Sequence, residues 1–462
     1  TNIRQSYAKY SNFAPLKIMK IELSGHYSCK RLLVSSLPSM AMMIIGSLYS
    51  IVDGLFVSNY VGLTPFAGLN IAWPAIMVVG ALGLMVGTGG SALISILLGQ
   101  KNLKKACETF TTLVAFTILM AVALGIPMYI LMPKIVVVLG AEGEELIRNA
   151  ALYGRFYAVG MPAFMLQMAF QPFFMAAEKP ELGTKLSIAC GLANMILDAV
   201  FIVVLGWGLA GAAAASIIAC CIGGFYPLWY FRHRRSEGQL RLTRVKFEMR
   251  AIVNTCKNGS SEYIGNIAFS LVSMCYMHQL MKFYGEPGVA AYSVIMYIGY
   301  IFAAIYIGYN LTVAPVVGYN YGAGDTKELH SLLTKSMAIV FGLGMAMTAT
   351  AQVAARPAAL LFVGYDADIA ALTTRAEKIY MMSFLICGLN MFTSAWFTGL
   401  GNGLISAASA FTRSLVFELG CVFLLPVIFG AEGIWYSVII AEVLSLALSV
   451  FLLKKFQKRY GY

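Results

Sequence analysis

MIIGSLYSIVDGLFVSNYVG, residues 43–62, decides how this chain is read. Asp53 is its only formal charge, and the surrounding charge-free stretch extends from Leu32 to Gln100. Apolar runs of this length fit membrane-crossing helices. A carboxylate at the centre of such a helix costs roughly 2.5–3.5 kcal/mol on insertion scales, so it usually faces the bundle interior and serves an ion, a proton or a substrate. A second stretch, Leu186–Phe231, also contains a single charge, Asp198. Two isolated acids in two apolar runs are the strongest functional signal in the chain.

The rest of the composition agrees. The 462 residues are 59% hydrophobic and 12% charged, where a soluble domain carries about 25% charge. The mean hydropathy is +0.76. This describes an all-α integral membrane protein; a barrel would show short alternating strands instead. The net charge of +12 does not point to nucleic acid, because the basic residues cluster between apolar runs and read as cytoplasmic loops. The nine cysteines show no CxxC or Cys/His ligand spacing and read as helix-packing thiols. No HExxH, G-x-S-x-G or P-loop pattern suggests an enzyme or an ATP site.

Twelve spans are predicted, near 32–59, 70–98, 109–132, 152–177, 183–204, 209–231, 257–281, 288–318, 332–354, 373–400, 404–428 and 433–453. The division is a cytoplasmic N-terminal arm (1–31), a six-helix bundle (32–231), a basic linker (232–256), a second six-helix bundle (257–453) and a cytoplasmic tail (454–462). The arm, interrupted by Lys9, Lys17, Lys20, Lys30 and Arg31, does not read as a cleaved signal peptide. An even count puts both termini on one side. Lys101, Lys104, Lys105, the linker from Arg232 to Arg250, and Lys454, Lys455, Lys458 and Arg459 place that side in the cytoplasm. The expected location is the bacterial inner membrane, multi-pass, with membrane lipid as a partner and a monomer as the working unit.

The halves repeat. At an offset of 223, Gly62 matches Gly285, Ala67 matches Ala290, Ile71 matches Val294 and Gly99 matches Gly322, while Gly211 matches Gly433 at 222. Six spans separate the copies, so both have the same orientation. A parallel repeat puts a pseudo-twofold along the membrane normal and a central cleft between two pseudo-symmetric bundles. The acids break the repeat: Asp53 falls on Tyr276, and Asp198 near Cys421.

Tyr49 and Asp53 are four residues apart and share a helix face, as are Asn194 and Asp198. GAAAAS (211–216) ends in Ser216 among small residues that let helices approach closely. Two carboxylates, an amide oxygen, a phenol and a hydroxyl suit a hard cation such as Na⁺ at Asp53, Asn194, Asp198 and Ser216. The same cluster suits a proton, because neighbouring carboxylates resist double ionisation. Pro38 removes a backbone hydrogen bond from the helix carrying Asp53 and predicts a bend there.

These features together resemble the multidrug and toxic compound extrusion (MATE) family: two six-helix repeats, Pro38 with Asp53 in SLYSIVDGLFVSNYVG, NMILDAVF and GAAAAS. The resemblance covers nearly the whole chain after about residue 30 and points to the bacterial DinF-like and MepA-like branches. It implies a cation-coupled antiporter, H⁺ or Na⁺, with its ion site at Tyr49, Asp53, Asn194, Asp198 and Ser216. No cofactor is implied beyond the coupling cation. The family often has threonine where Ser216 stands. The NorM-like branch has a carboxylate in its tenth span, whereas Ile379–Thr412 carries no charge, so no second-half ion site is expected.

Glu262, Glu418 and Glu442 are further acids in the second half. Arg413 predicts an ion pair across the last two spans, and a substrate-facing role for these acids is the sharper alternative. Met161, Gln167, Gln171, Tyr297, Tyr300 and Asn390 are candidate cavity residues for a small, amphipathic, cationic organic substrate or a natural product. The alternative function is a lipid or lipid-linked oligosaccharide flippase of the same superfamily, which the buried acids argue against.

Overall fold

The computed structural model describes residues 22–233, 240–364 and 366–462. Lys9, Lys17 and Lys20 of the arm, and Arg234 and Arg235 of the linker, lie outside the described residues. The first half contains α1 (Cys29–Val61), α2 (Leu63–Gly99), α3 (Leu103–Val138), α4 (Glu144–Ala176), α5 (Pro180–Val204) and α6 (Gly208–His233). The second contains α7 (Met249–Tyr284), α8 (Glu286–Ala323), α9 (Thr326–Val363) and α10 (Ala367–Gly399). In α11, Gly403–Phe411, Thr412–Glu418 and Leu419–Phe429 follow without a break, and α12 is Gly433–Tyr460. Among the described residues there is no strand.

By length and apolar composition, ten stretches among the described residues qualify as spans. The number falls short of twelve for two reasons. Asn266, His278 and Gln279 leave the charge-free stretch of α7 between Glu262 and Lys282 too polar, and α11 and α12 run together across the turn that Gly430 makes at φ +65°. The helices also outrun their apolar cores. α7 begins inside the predicted linker, and the predicted tail is the end of α12. Tyr460 and Tyr462 anchor that end: Asn402 donates to the Tyr460 hydroxyl at 2.8 Å, and Tyr462 packs edge-on against Trp396. Lys458 and Arg459 in the last turn complement the negative end of the helix dipole.

In the first half, α4 packs against α2, α3 and α6; in the second, α10 packs against α8, α9 and α12. The repeat is visible in the connections. Gly62 and Gly285 both take positive φ at the α1–α2 and α7–α8 turns. Asn102 caps α3 by accepting from the Lys105 amide, and its counterpart Asp325 caps α9 by accepting from the Glu328 amide. Two turns differ in one respect. Where the second half has Gly324 (φ +74°) and Gly401 (φ +73°), the first has Lys101 (φ +59°) and Glu178 (φ +56°). A side chain in that left-handed region costs about 1–2 kcal/mol that glycine avoids.

The halves meet through α1–α8, α2–α7 and α2–α8. The seam is backbone against backbone. Gly89 and Gly259 leave no room for a Cβ between α2 and α7, and Gly308 presses on Met40 in the same way. The Ser39 hydroxyl donates to the Gly308 carbonyl at 2.8 Å. These contacts lie toward the end of the bundle that holds the basic loops. At the other end, Tyr60 and Leu63 are 63% and 80% exposed.

Candidate functional site

The site grows out of two interrupted helices. α1 turns π-helical at Val57–Val61, four residues after Asp53. α5 turns π-helical at Ala199–Val204, directly after Asp198. The third π segment, Thr412–Glu418 in α11, contains Arg413 and Glu418. A π turn shifts side chains off the regular helical face and occurs frequently at functional sites. Each of these three borders or contains a charge embedded in the membrane.

The structure brings the predicted first-half residues together. The Asp53 and Asp198 carboxyl groups come within interaction distance of one another across α1 and α5. Asp198 is fully buried and Asp53 nearly so. Neither oxygen of Asp198 meets a donor in hydrogen-bonding geometry, nor does Oδ1 of Asp53 or Oδ1 of Asn194. The Asn194 amide donates to the Ser216 hydroxyl at 3.3 Å, which leaves its carbonyl oxygen available. Tyr49 packs on Gly191 of α5. Burying polar oxygens without donors is costly. This group of acceptors fits a monovalent cation or a proton.

Two residues escaped the sequence reading. Tyr153 and Tyr157 of α4 are buried beside the acids, and Tyr157 lies within hydrogen-bond reach of Ser216 and Tyr153. Their spacing of four, the same as Tyr49–Asp53, was the signal that could have found them. Pro38 does not break α1, which is helical throughout. It sits between two tethers: Thr184 of α5 donates to its carbonyl at 2.7 Å, and the next residue, Ser39, bonds α8.

The second half has the predicted ion pair. Nε and Nη2 of Arg413 donate to Oε1 of Glu442 at 2.9 and 2.6 Å. Asn390 donates to the other Glu442 oxygen at 2.7 Å and accepts from Ser449 at 2.8 Å. Glu418 is half-buried and feels the Arg413 charge. Asn390 is therefore a buried member of this network rather than a cavity residue. Met161 is likewise fully enclosed in the first-half core and lines no open space here. Gln167 is buried with Oε1 unpartnered, and Gln171 and Glu262 are half-buried. Tyr297 and Tyr300 are exposed, near Phe362 and Phe269 respectively. One acid was overlooked: Glu377 of α10, two residues before the stretch read as charge-free, is fully buried with both oxygens unpartnered.

The MatE family pattern matches residues 38–200 and again residues 263–424, one copy in each half. The Multidrug export protein MepA of Staphylococcus haemolyticus (strain JCSC1435) is 23% identical over 423 residues, covering 90% of this chain and 92% of the relative. The protein of that name from Staphylococcus saprophyticus subsp. saprophyticus is 24% identical over 426 residues, covering 89% and 92%. Among solved structures, the outward-facing conformation of a multidrug resistance MATE family transporter of the MOP superfamily is similar at TM-score 0.85 and 21% identity, covering 94% and 97%. A MOP superfamily transporter from Pyrococcus furiosus, described as having a binding pocket of reverse polarity, is similar at TM-score 0.87 and 21% identity, covering 95% and 98%.

Proposed function

The chain belongs to the MatE family of membrane transporters, and we propose that it is a cation-coupled antiporter that exports amphipathic, cationic organic compounds by alternating access. The observation that carries this reading is the Asp53–Asp198 pair, with buried oxygens that no donor satisfies. A proton or Na⁺ taken up there removes a repulsion between the carboxyl groups and changes the environment of both π segments. Tyr49, Asn194, Ser216 and Tyr157 complete the polar shell. The basic end faces the cytoplasm on the positive-inside argument, and the coupling ion enters from the opposite side. Coupling requires that ion and substrate favour different conformations of the same cleft. The multidrug export named for the MepA relatives supports a small organic substrate here.

The test is efflux of a fluorescent organic cation from proteoliposomes, with proton and sodium gradients imposed separately. One gradient drives the wild type, and neither drives Asp53→Asn or Asp198→Asn. If both variants keep their response to the gradient, the acids are structural and the proposal fails.

A further inference from the structure

The seven residues ahead of α1 cross from one half to the other at the basic end. The Leu23 amide donates to Oε1 of Glu178, in the α4–α5 turn of the first half, at 2.6 Å. The Tyr27 amide donates to Oε1 of Glu328 on α9, in the second half, at 2.9 Å. His26 Nδ1 meets the other Glu328 oxygen at 2.9 Å. Lys335 of α9 donates to the Tyr27 carbonyl. The side chains of Leu23 and Tyr27 are buried in the main core, and the Tyr27 hydroxyl donates to the Glu22 carbonyl at 2.8 Å. Arg31 lies over the Tyr27 ring and pairs with Glu22 at 3.1 Å.

Glu178 makes this more than a well-ordered terminus. Its backbone is left-handed at φ +56°, and the residue 223 positions later, in the equivalent turn of the second half, is Gly401. A glycine would hold the same turn without strain. The carboxylate at that position does one visible thing: it receives the Leu23 amide. A bond to a charged acceptor is about twice as strong as one between neutral groups, which offsets part of the backbone cost.

We propose that residues 22–28 are a clasp that fastens the two halves at the cytoplasmic end, and that the clasp must release before the transporter opens inward. The inference rests on the alternating-access reading given above. If α9 moved away from the α4–α5 turn, either the bond to Glu178 or the bonds to Glu328 would have to break. The clasp therefore biases the equilibrium toward the outward-open form without touching ion or substrate.

His26 makes the bias sensitive to pH. The Glu328 hydrogen bond, followed by the charge of Glu328, raises the imidazole above its ordinary range; Asp325 adds to this and Lys335 opposes it. Arg31 faces the same residue by donating to its carbonyl at 3.1 Å. A histidine raised in one state stabilises that state fully below the range of a free histidine, and the contribution fades as pH rises through the raised value. Acidification of this face favours the closed clasp.

The experiment uses the full chain in lipid nanodiscs, with a fluorophore pair at positions 104 and 327 introduced through unnatural amino acids. Both residues are exposed in the first turns of α3 and α9. Single-molecule energy transfer then reports the separation of the halves at the basic end. The wild type should show mainly the short distance, less so at pH 8 than at pH 6. Glu178→Gly, which restores the glycine of the equivalent turn and does not threaten folding, should raise the long-distance fraction about threefold to tenfold. Glu328→Gln should raise it further, and His26→Gln should flatten the pH response. If two distances are seen but Glu178→Gly and Glu328→Gln leave their ratio unchanged, the clasp is overturned while alternating access stands. A single fixed distance in every variant, with and without ion and substrate, overturns both.

Discussion

The two halves place polar groups at equivalent positions and balance them differently. Tyr157 of α4 corresponds to Tyr380 of α10, Asp53 to Tyr276 and Cys190 to Arg413 at an offset of 223, and Cys220 to Glu442 at 222. In the second half, Arg413 and Glu442 neutralise each other, with Asn390 and Ser449 completing the network. In the first half, the equivalent places hold two thiols, and buried oxygens of the nearby Asp53 and Asp198 meet no hydrogen-bond donor among the described residues. A centre that carries its own guanidinium needs no visiting charge. A centre built from acids alone has a charge to offset, which is the basis of the coupling role proposed for it above.

The comparison can be broken most decisively in the first half. Asp53→Asn and Asp198→Asn should reduce gradient-driven efflux to that of empty vesicles while leaving thermal stability within about 1 kcal/mol of wild type, since each removes a buried repulsion. Loss of stability alongside transport would mean that the pair is a scaffold. The next largest effect belongs to the second half: Arg413→Ala strands Glu442 and should cost about 3–5 kcal/mol by thermal unfolding in detergent. Replacing both partners with their first-half counterparts, Arg413→Cys with Glu442→Cys, should recover most of that loss and keep transport, because removing a whole buried pair is often close to neutral. A double variant as unstable as the single would show that the network does more than cancel charge. The smallest change expected is Tyr157→Phe, which deletes one hydroxyl beside Ser216 and should cost about 0.5–1.5 kcal/mol, read as a modest loss of apparent ion affinity in the efflux assay.

Much of this architecture was legible from residue order. Long uncharged runs marked the spans, and glycines at a constant offset exposed the repeat. Asp53 and Asp198 were legible because charge is rare and costly in such runs. What escaped has physical causes. Glu377 stands between Arg375 and Lys378, so it reads as part of a solvated helix end, yet its side chain turns inward. Tyr153 and Tyr157 carry no charge and look like ordinary membrane aromatics until α4 is packed against α6, which brings Tyr157 to Ser216. The bond between His26 and Glu328 joins residues 302 positions apart, which no local pattern records. The pairing of Arg413 with Glu442 was readable because opposite charges on adjacent spans have few other ways to be satisfied.

The seam between α2, α7 and α8 has a consequence for time as well as for shape. Gly89, Gly259 and Gly322 bring main chain directly onto main chain. Dispersion attraction falls away steeply: a gap of 0.5–1 Å already forfeits about a quarter to a half of it. Such a joint has no stable half-open setting, because the first small separation surrenders much of what holds it shut. Recorded one molecule at a time, the closed end should show long dwells punctuated by abrupt steps, with no gradual drift between them. Gly89→Ala, which wedges a methyl group into the joint, should shorten the closed dwells.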